Sequence, residues 1–439
     1  MRVLVIGSGG REHALAWRLS ADPEVTSLVV SPGNPGISTI CRCVPVDALN
    51  PDAVLALAEQ EQVDLTVVGP EAPLERGLAD RFRAAGRPIV GPGSKGAQLE
   101  CSKAFAKDVM RRQGIPTARF ELAESAEAAA EIVASGRFGF PLVLKADGLA
   151  AGKGVVIAAT AEEASEAIRA AMVDRVFGAS GARLVIEECL VGPEVSVFYL
   201  CDGQRAIQLS SAEDHKRIFD GDRGPNTGGM GAIAPSPRLT PALAAQTMRE
   251  IVNPVLEGMR ALGEPFIGFL YVSLMLTADG PKVIEFNVRF GDPEAQVVLP
   301  QLDGPFAQTL LAAAEGRLAE GQITVSPDKL AGVVLAARGY PGTVETGQPI
   351  DGLERAASCR GVTVFHAGTA FRDGRVVTAG GRVLTVVGRG ASFDEAIDTA
   401  YRGAAEVHFD GMQFRRDIGH KVAEQPRPRR GGPVSQGDH

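Results

Sequence analysis

The chain has 439 residues, 45% hydrophobic and 22% charged, an ordinary globular composition that supplies several cores and, at roughly 150 residues each, about three domains. A net charge of −8 argues against a broad nucleic-acid footprint, although a small phosphate ligand needs only local donors. The six cysteines, at 41, 43, 101, 189, 201 and 359, are too sparse for a secreted disulfide framework and fit a reduced cytoplasm. Cys41 and Cys43 lack the second nearby pair that a zinc site needs. The apolar run Val3–Ile6 is too short for a signal peptide, and no run approaches the roughly 20 residues of a membrane span.

In chain order, MRVLVIG reads as a buried strand, HALAWRLS as a helix and VTSLVVS as a strand. PDAVLALAEQEQ is a helix, DLTVVG a strand, LERGLADRFRAAG a helix and PIVG another strand. This β-α-β-α rhythm predicts a parallel doubly wound α/β sheet over 1–102, with ligands at the carboxyl ends of its strands. Residues 103–325 change style. Helices at 103–113 and 162–174 frame the strand PLVLKAD, and the strands RLVIEE and EVSVFYLCDG follow. A long Gly-rich loop is expected over 212–236, then a helix near 240–262 and the strand pair FLYVSLMLT and PKVIEFNV. A third unit, 329–420, has short β runs and a helix opening at Ser392, with Glu395 three residues on as a capping box. Residues 423–439 lack apolar periodicity and read as a disordered tail.

Gly7-Ser8-Gly9-Gly10 follows a strand and opens a helix, so its backbone N–H groups can approach an anion. A dinucleotide reading is opposed by Glu12, which stands where a third glycine belongs, and by Ser31-Pro32-Gly33, which offers no acid for a ribose diol. A phosphate or ribose ligand and a purely structural turn both stay open. Gly148 to Gly154, with Gly152 and Lys153 inside it, is one residue short of a P-loop, and Gly154 replaces its hydroxyl. It suits a glycine-rich flap over phosphates, with Lys145 on the preceding strand, although an edge lysine can simply reach water.

Glu187 and Glu188 end one strand and Glu194 starts the next, positions open to adenine and ribose or to plain solvent. Strand period places Glu285, Asn287 and Arg289 on one face and Ile284, Phe286 and Val288 on the other. An acid and an amide two residues apart suit a hard cation, and an arginine beside them suits a carboxylate. The alternative is an exposed polar face. Asp214, His215, Lys216 and Arg217 open a loop too long for an idle connection. No Ser or Cys nucleophile with a helper stands out.

The runs VLVIGSGGREHALAW, VVGPEAPL, GPGSKGAQLECSKAFAKD, KADGLAAGKGV, VIEECLVGPEVS, EDHKRIFDGDRGPNTGGMGA, VIEFNVRFGDPEAQ, VFHAGT and GGRVLTV, taken together, resemble the ATP-grasp superfamily and, within it, the phosphoribosylamine–glycine ligase family. They extend in order to about residue 420. Val288, Ser273 and Cys189 depart from the family's usual Cys, Gly and aromatic residue.

The resemblance implies an amino-terminal phosphoribosylamine-side domain (1–102), an ATP-grasp domain (103–325) with a mobile lid at about 120–190, and a small α+β carboxyl-terminal domain (329–420). It implies ligation of glycine to 5-phosphoribosylamine by ATP with Mg²⁺ or Mn²⁺, through a glycyl phosphate, in purine biosynthesis. Lys103 and Lys145 would neutralise phosphates under the flap containing Gly152, Lys153 and Gly154. Glu187 and the backbone at Leu190 would receive adenine, and Glu194 the ribose. Glu285 and Asn287 would hold the metal. Arg289 would clamp the glycine carboxylate or acyl phosphate, Asp214 the glycine ammonium, and Lys216 with the amides of Gly228 and Gly229 the transferring phosphoryl group. Gly9, Gly10, Glu12, Glu71 and Arg382 would surround phosphoribosylamine. The expected partners are these small molecules, without nucleic acid or membrane, and a monomer is expected. A bicarbonate-using ATP-grasp carboxylase, an NAD(P)-linked oxidoreductase and a non-catalytic nucleotide-binding regulator are the rival readings.

Overall fold

The computed structural model describes residues 1–149 and 154–423. Gly152, Lys153 and the expected tail beyond Ala423 lie outside the described residues.

The amino-terminal sheet has five strands in the order Arg42–Cys43, Ser27–Pro32, Arg2–Gly7, Leu65–Val68, Ile89–Val90, and every neighbouring pair is parallel. Its central strands are buried almost throughout, Arg2 excepted, because helices cover both faces. The order reverses between Arg2–Gly7 and Leu65–Val68. The turns leaving their carboxyl ends, Gly7–Gly10 and Gly69–Glu71, therefore open a crevice.

A second sheet of eight strands, antiparallel at every pairing, runs Gly280–Asn287, Ile267–Thr277, Glu194–Asp202, Ala206–Asp214, Gly231–Ala234, Lys329–Ala336, Arg382–Gly390, Val362–His366. The carboxyl-terminal strands thus continue the central sheet, through Gly231–Ala234 against Lys329–Ala336. A third, four-stranded sheet (Phe120–Ala123, Leu184–Glu188, Leu142–Ala146, Val155–Ala158) stands over the edge strand Gly280–Asn287. The two are tied by a Thr117–Val283 bridge and by Lys145 Nζ, which donates to Ile284 O at 3.2 Å.

Three local expectations change. The stretch 212–236 is largely extended, holding the end of Ala206–Asp214, the hairpin Arg217–Phe219/Arg223–Asn226 and the strand Gly231–Ala234. Strict alternation fails on Gly280–Asn287, where Ser273 faces Glu285 but Leu274 faces Val283, leaving Ile284 as the extra residue of a bulge. Val283, not Ile284, therefore joins Phe286 and Val288 in the core. At the last long helix, Phe393–Glu406, Ser392 Oγ accepts from Glu395 N at 3.2 Å, while Glu395 Oε2 accepts from Ala391 N, one residue before the motif's position.

Candidate functional site

The edge strand Gly280–Asn287 brings two side chains into the cleft beneath the four-stranded sheet. Glu285 lies opposite Ser273, and Asn287 opposite Tyr271. Burial works to protonate Glu285, yet the charges of Lys216, Lys145, Lys103 and Arg289, strongest first, hold its pKa below the usual carboxylate range. Four cations from four separate segments thus act on one ionised acid. Among the described residues no group of three or more His, Cys, Asp and Glu is arranged to hold a metal. Glu285 and Asn287 supply two hard oxygens on one strand face. That set fits Mg²⁺, which takes its remaining ligands from phosphate and water.

Each cation has its own support. Lys103 is the first residue of the helix Lys103–Arg112, capped by Ser102 Oγ, and its Nζ donates to Gly148 O at 3.1 Å at the root of the flap. Asp147 fixes that junction, accepting from Ser102 Oγ at 2.9 Å and Ala104 N at 3.1 Å and pairing with Arg183 at 2.5 Å. Lys145 Nζ lies 2.5 Å from Glu187, whose other oxygen lies 2.5 Å from Lys107 Nζ. All three side chains are buried. Glu187 is therefore a spacer between two lysines, and its carboxylate is already engaged on the side where adenine was expected. Lys107 is absent from the sequence reading; its position four residues after Lys103 was the available signal.

On the opposite wall Lys216 pairs with Glu194, and its pKa is raised although burial works against it, because Asp214 and Glu194 flank it. Asp214 moves the other way. Burial, together with Glu294 and Glu194, pushes its carboxyl up to about 7 against the pull of Lys216. Tyr271 OH donates to Glu294 Oε1 at 3.0 Å and lies 2.8 Å from Ser196 Oγ, three residues that the sequence reading missed. A cavity of about 440 Å³ opens here, lined by Glu194, Asp214, Lys216 and, from the four-stranded sheet, Ile157.

Arg289 lies just beyond the edge strand and reaches the amino-terminal domain. Its Nε is 3.1 Å from Glu71 Oε2 and its Nη2 2.5 Å from Glu100 Oε1. Arg289 and Arg11 outweigh burial at Glu71 and bring its carboxyl down to about 2. Burial dominates at Glu100, which rises to about 7. At the crevice of the parallel sheet, Glu12 Oε2 accepts from Gly9 N at 2.6 Å and its Oε1 accepts from Arg11 Nε at 2.7 Å. A Cβ on Gly69 would sit 2.2 Å from Glu12 Oε1, so glycine alone fits there. Asp292 joins this crevice to the carboxyl-terminal domain. Its Oδ2 accepts from Arg11 N at 3.3 Å, and its Oδ1 lies 3.2 Å from Arg382 Nη2. Arg382 Nη1 also donates to Asp292 O at 2.5 Å and to Gly228 O. Gly229 has φ +113°, and a Cβ there would press on Pro293 Cδ at 2.5 Å. The structure thus groups Gly9, Gly10, Glu12, Glu71, Arg289 and Arg382 around one crevice, from which Arg289 also acts on Glu285. Leu190 follows the strand Leu184–Glu188, and Gly154 precedes the strand Val155–Ala158.

The comparisons agree with this architecture. Residues 1–100 match the family model for the phosphoribosylglycinamide synthetase N domain, 101–295 that for its ATP-grasp (A) domain, and 330–421 that for its C domain. A phosphoribosylamine–glycine ligase of Xanthomonas axonopodis pv. citri is 50% identical over 437 residues, covering 98% of this chain and 100% of that protein. The crystal structure of a phosphoribosylamine–glycine ligase from Thermotoga maritima superposes with a TM-score of 0.83 at 36% identity, covering 95% of this chain and 100% of the other. A biotin carboxylase of Campylobacter jejuni, solved with an ATP analogue, shares only the fold, with a TM-score of 0.71 at 16% identity over 94% of this chain and 93% of that one. With all three domain models matched in order and full-length relatives at this identity, the chain belongs to the phosphoribosylglycinamide synthetase family.

Proposed function

We propose that the chain joins glycine to 5-phosphoribosylamine at the expense of ATP, yielding glycinamide ribonucleotide, ADP and phosphate. Family membership supports the substrates, and the convergence of Lys103, Lys145, Lys216 and Arg289 on Glu285 supports the chemistry. An amine does not displace oxide from a carboxylate at neutral pH, so the carboxylate needs a better leaving group. One oxygen of the glycine carboxylate attacks the γ-phosphorus and ADP departs. The amine of phosphoribosylamine then attacks the acyl carbon of glycyl phosphate, loses a proton and expels phosphate. Catalysis is chiefly positioning and charge neutralisation.

Lys103 and Lys145 would lie along the ATP phosphates, with the flap that ends at Gly154 covering them. The main chain around Leu190 would receive adenine, and Glu194 the ribose. Glu285 and Asn287 would hold Mg²⁺ or Mn²⁺, which when bound offsets phosphate charge. Lys216 and the Gly228–Gly229 amides would face the transferring phosphoryl group, and Asp214 the glycine ammonium. We assign Arg289 to orient the acyl group from its seat between Glu71 and Glu100, so that one side chain reads both halves of the site. Gly9, Gly10, Glu12, Glu71 and Arg382 would bound the phosphoribosylamine crevice. Six free cysteines support a reducing, cytoplasmic setting, and among the described residues no helix is long and apolar enough to cross a membrane.

The deciding experiment follows ADP release with ATP and metal while glycine and freshly made phosphoribosylamine are each omitted in turn. Full turnover is expected only with both. ADP release sustained by bicarbonate in place of glycine would overturn the proposal in favour of a carboxylase.

A further inference from the structure

Arg415 heads the fully buried side chains by volume among the described residues, and it has no place in the site described above. Its fork is split between two segments. Nε and Nη2 donate to Asp417 Oδ1 and Oδ2, each at 2.7 Å. Nη1 crosses to the hairpin Arg217–Phe219/Arg223–Asn226, donating to Asp222 Oδ1 at 2.8 Å and to Arg217 O at 3.1 Å. The neighbouring backbone repeats the pattern. Gly221 N donates to Asp417 Oδ2 at 2.8 Å, Arg416 N to Asp220 Oδ1 at 2.8 Å, and Gly419 N to His215 Nε2 at 3.1 Å.

The hairpin has little else to hold it. Residues 223–226 are exposed along their whole length, as is Phe219. Its apolar anchors among the described residues are Ile218 and Met230, in a small cluster with Ala336 and Tyr340. A two-stranded hairpin with so little apolar burial is marginal by itself. Its contacts with 415–419 land on His215 and Arg217, the residues on either side of Lys216, and one step from Asp214. We infer that Arg415 is a positioning residue: through Asp417 and Asp222 it sets the placement of Asp214 and Lys216, and with it the recognition of glycine. This inference rests on the roles proposed for those two residues, Asp214 at the glycine ammonium and Lys216 at the phosphoryl group that passes to glycine. The ATP-side lysines, Lys103 and Lys145, are anchored elsewhere, by Gly148 and Glu187, so the two substrates should respond differently.

The test uses the full chain and compares Arg415→Met, Arg415→Lys and the milder Asp220→Ala. For each, glycine KM and kcat are measured at saturating ATP, and the Kd of a non-hydrolysable ATP analogue by titration. Arg415→Met should lower kcat/KM for glycine by about 30-fold, as expected for a displacement of under an ångström, while the analogue Kd stays within about twofold. Millimolar ethylguanidinium should recover part of that loss, and Arg415→Lys should fall between. Asp220→Ala removes one outer tie and keeps the measurement informative if Arg415→Met does not fold; a glycine-only loss of about threefold is expected. Variants that leave glycine kinetics unchanged, or that weaken glycine and the ATP analogue equally, overturn the inference. A parent chain that ignores glycine would instead overturn the proposed function on which it stands.

Discussion

Replacing Lys107 by methionine tests the buried charge relay that sets Lys145. Lys107 and Glu187 are 2.5 Å apart with side chains 3% and 6% exposed, so solvent screens them little. Lys107 also donates to Thr117 Oγ1 at 2.8 Å and lies 5.2 Å from the Phe120 ring centroid. Breaking a buried pair from one side costs about 3–5 kcal/mol. Glu187 keeps Lys145 as a second partner, and burial of the Lys107 ammonium offsets much of the pair's attraction, so the loss at pH 7 falls below that range.

The pH dependence gives an independent reading. Burial, only partly offset by Glu187, lowers the Lys107 ammonium from 10.5 to about 8. Between those values the unfolded chain binds the proton more tightly than the folded one, so this group makes stability rise as pH rises from about 8 to 10.5. Two to three pKa units correspond to about 3 kcal/mol. Other groups titrate in the same range, so the quantity to measure is the parent-minus-variant difference in urea unfolding free energy, taken from pH 7 to 10.5. That gap should widen with pH by about 3 kcal/mol. In the same variant Glu187 closes on Lys145 alone, and ATP KM should rise about fivefold, the weight of one hydrogen bond, without change for glycine. A pH-independent gap together with an unaltered ATP KM would refute the reasoning.

Three further outcomes are expected. Glu285→Gln should cut metal-dependent ADP formation by about 100-fold or more with an unchanged circular dichroism spectrum, and parental turnover would remove Glu285 from the metal site. Because Asp214 must be ionised to accept an ammonium and keeps its proton up to about 7, glycine kcat/KM should climb with pH and level off above about 7. Asp214→Asn should erase that limb, and an identical limb in the variant would reassign it. Arg382→Ala should raise phosphoribosylamine KM by about tenfold, the loss of one charge-assisted contact, with little change for ATP; an effect confined to ATP would move Arg382 out of the phosphoribosylamine crevice.

What was legible in the sequence was local. The parallel amino-terminal sheet follows from apolar strands and helices in alternation, and its strand order puts Gly9 and Glu71 on the same crevice, as strand-end reasoning requires. Non-local pairing was not legible. The glycines and prolines of 212–236 read as loop because their strands gain stability only by adding to a sheet whose next member, Lys329–Ala336, lies about a hundred residues on. The bulge at Ile284 is invisible to a period-two pattern, since one inserted residue shifts every side chain before it to the other face. Glu285 and Asn287 survive the shift because both lie after it. Lys107 carries no local signal beyond its helical spacing from Lys103, and Glu187 stands at a strand end open to a ligand or to solvent. Their burial rests on partners distant in sequence, Glu187 between Lys107 and Lys145, and Lys107 between Glu187 and Thr117.

That mutual dependence extends through the site and bears on how an acidic chain accepts so many anionic groups. Lys145 is paired with Glu187, Lys216 with Glu194, Arg289 with Glu71 and Glu100, and Arg382 with Asp292. Unpaired cations at this burial would be costly and would repel one another across the cleft. With a carboxylate beside each, the cleft stays folded without a net positive field, consistent with the overall charge of −8. A phosphate entering such a cleft gains less than it would from bare lysines, because it competes with a carboxylate already in place. Affinity is thereby traded for placement: the acids that weaken each cation's hold on a ligand are the same groups that fix the position of its nitrogen. Removing such an acid should tighten anion binding and slow turnover together, a pairing of effects that a simple electrostatic funnel does not produce.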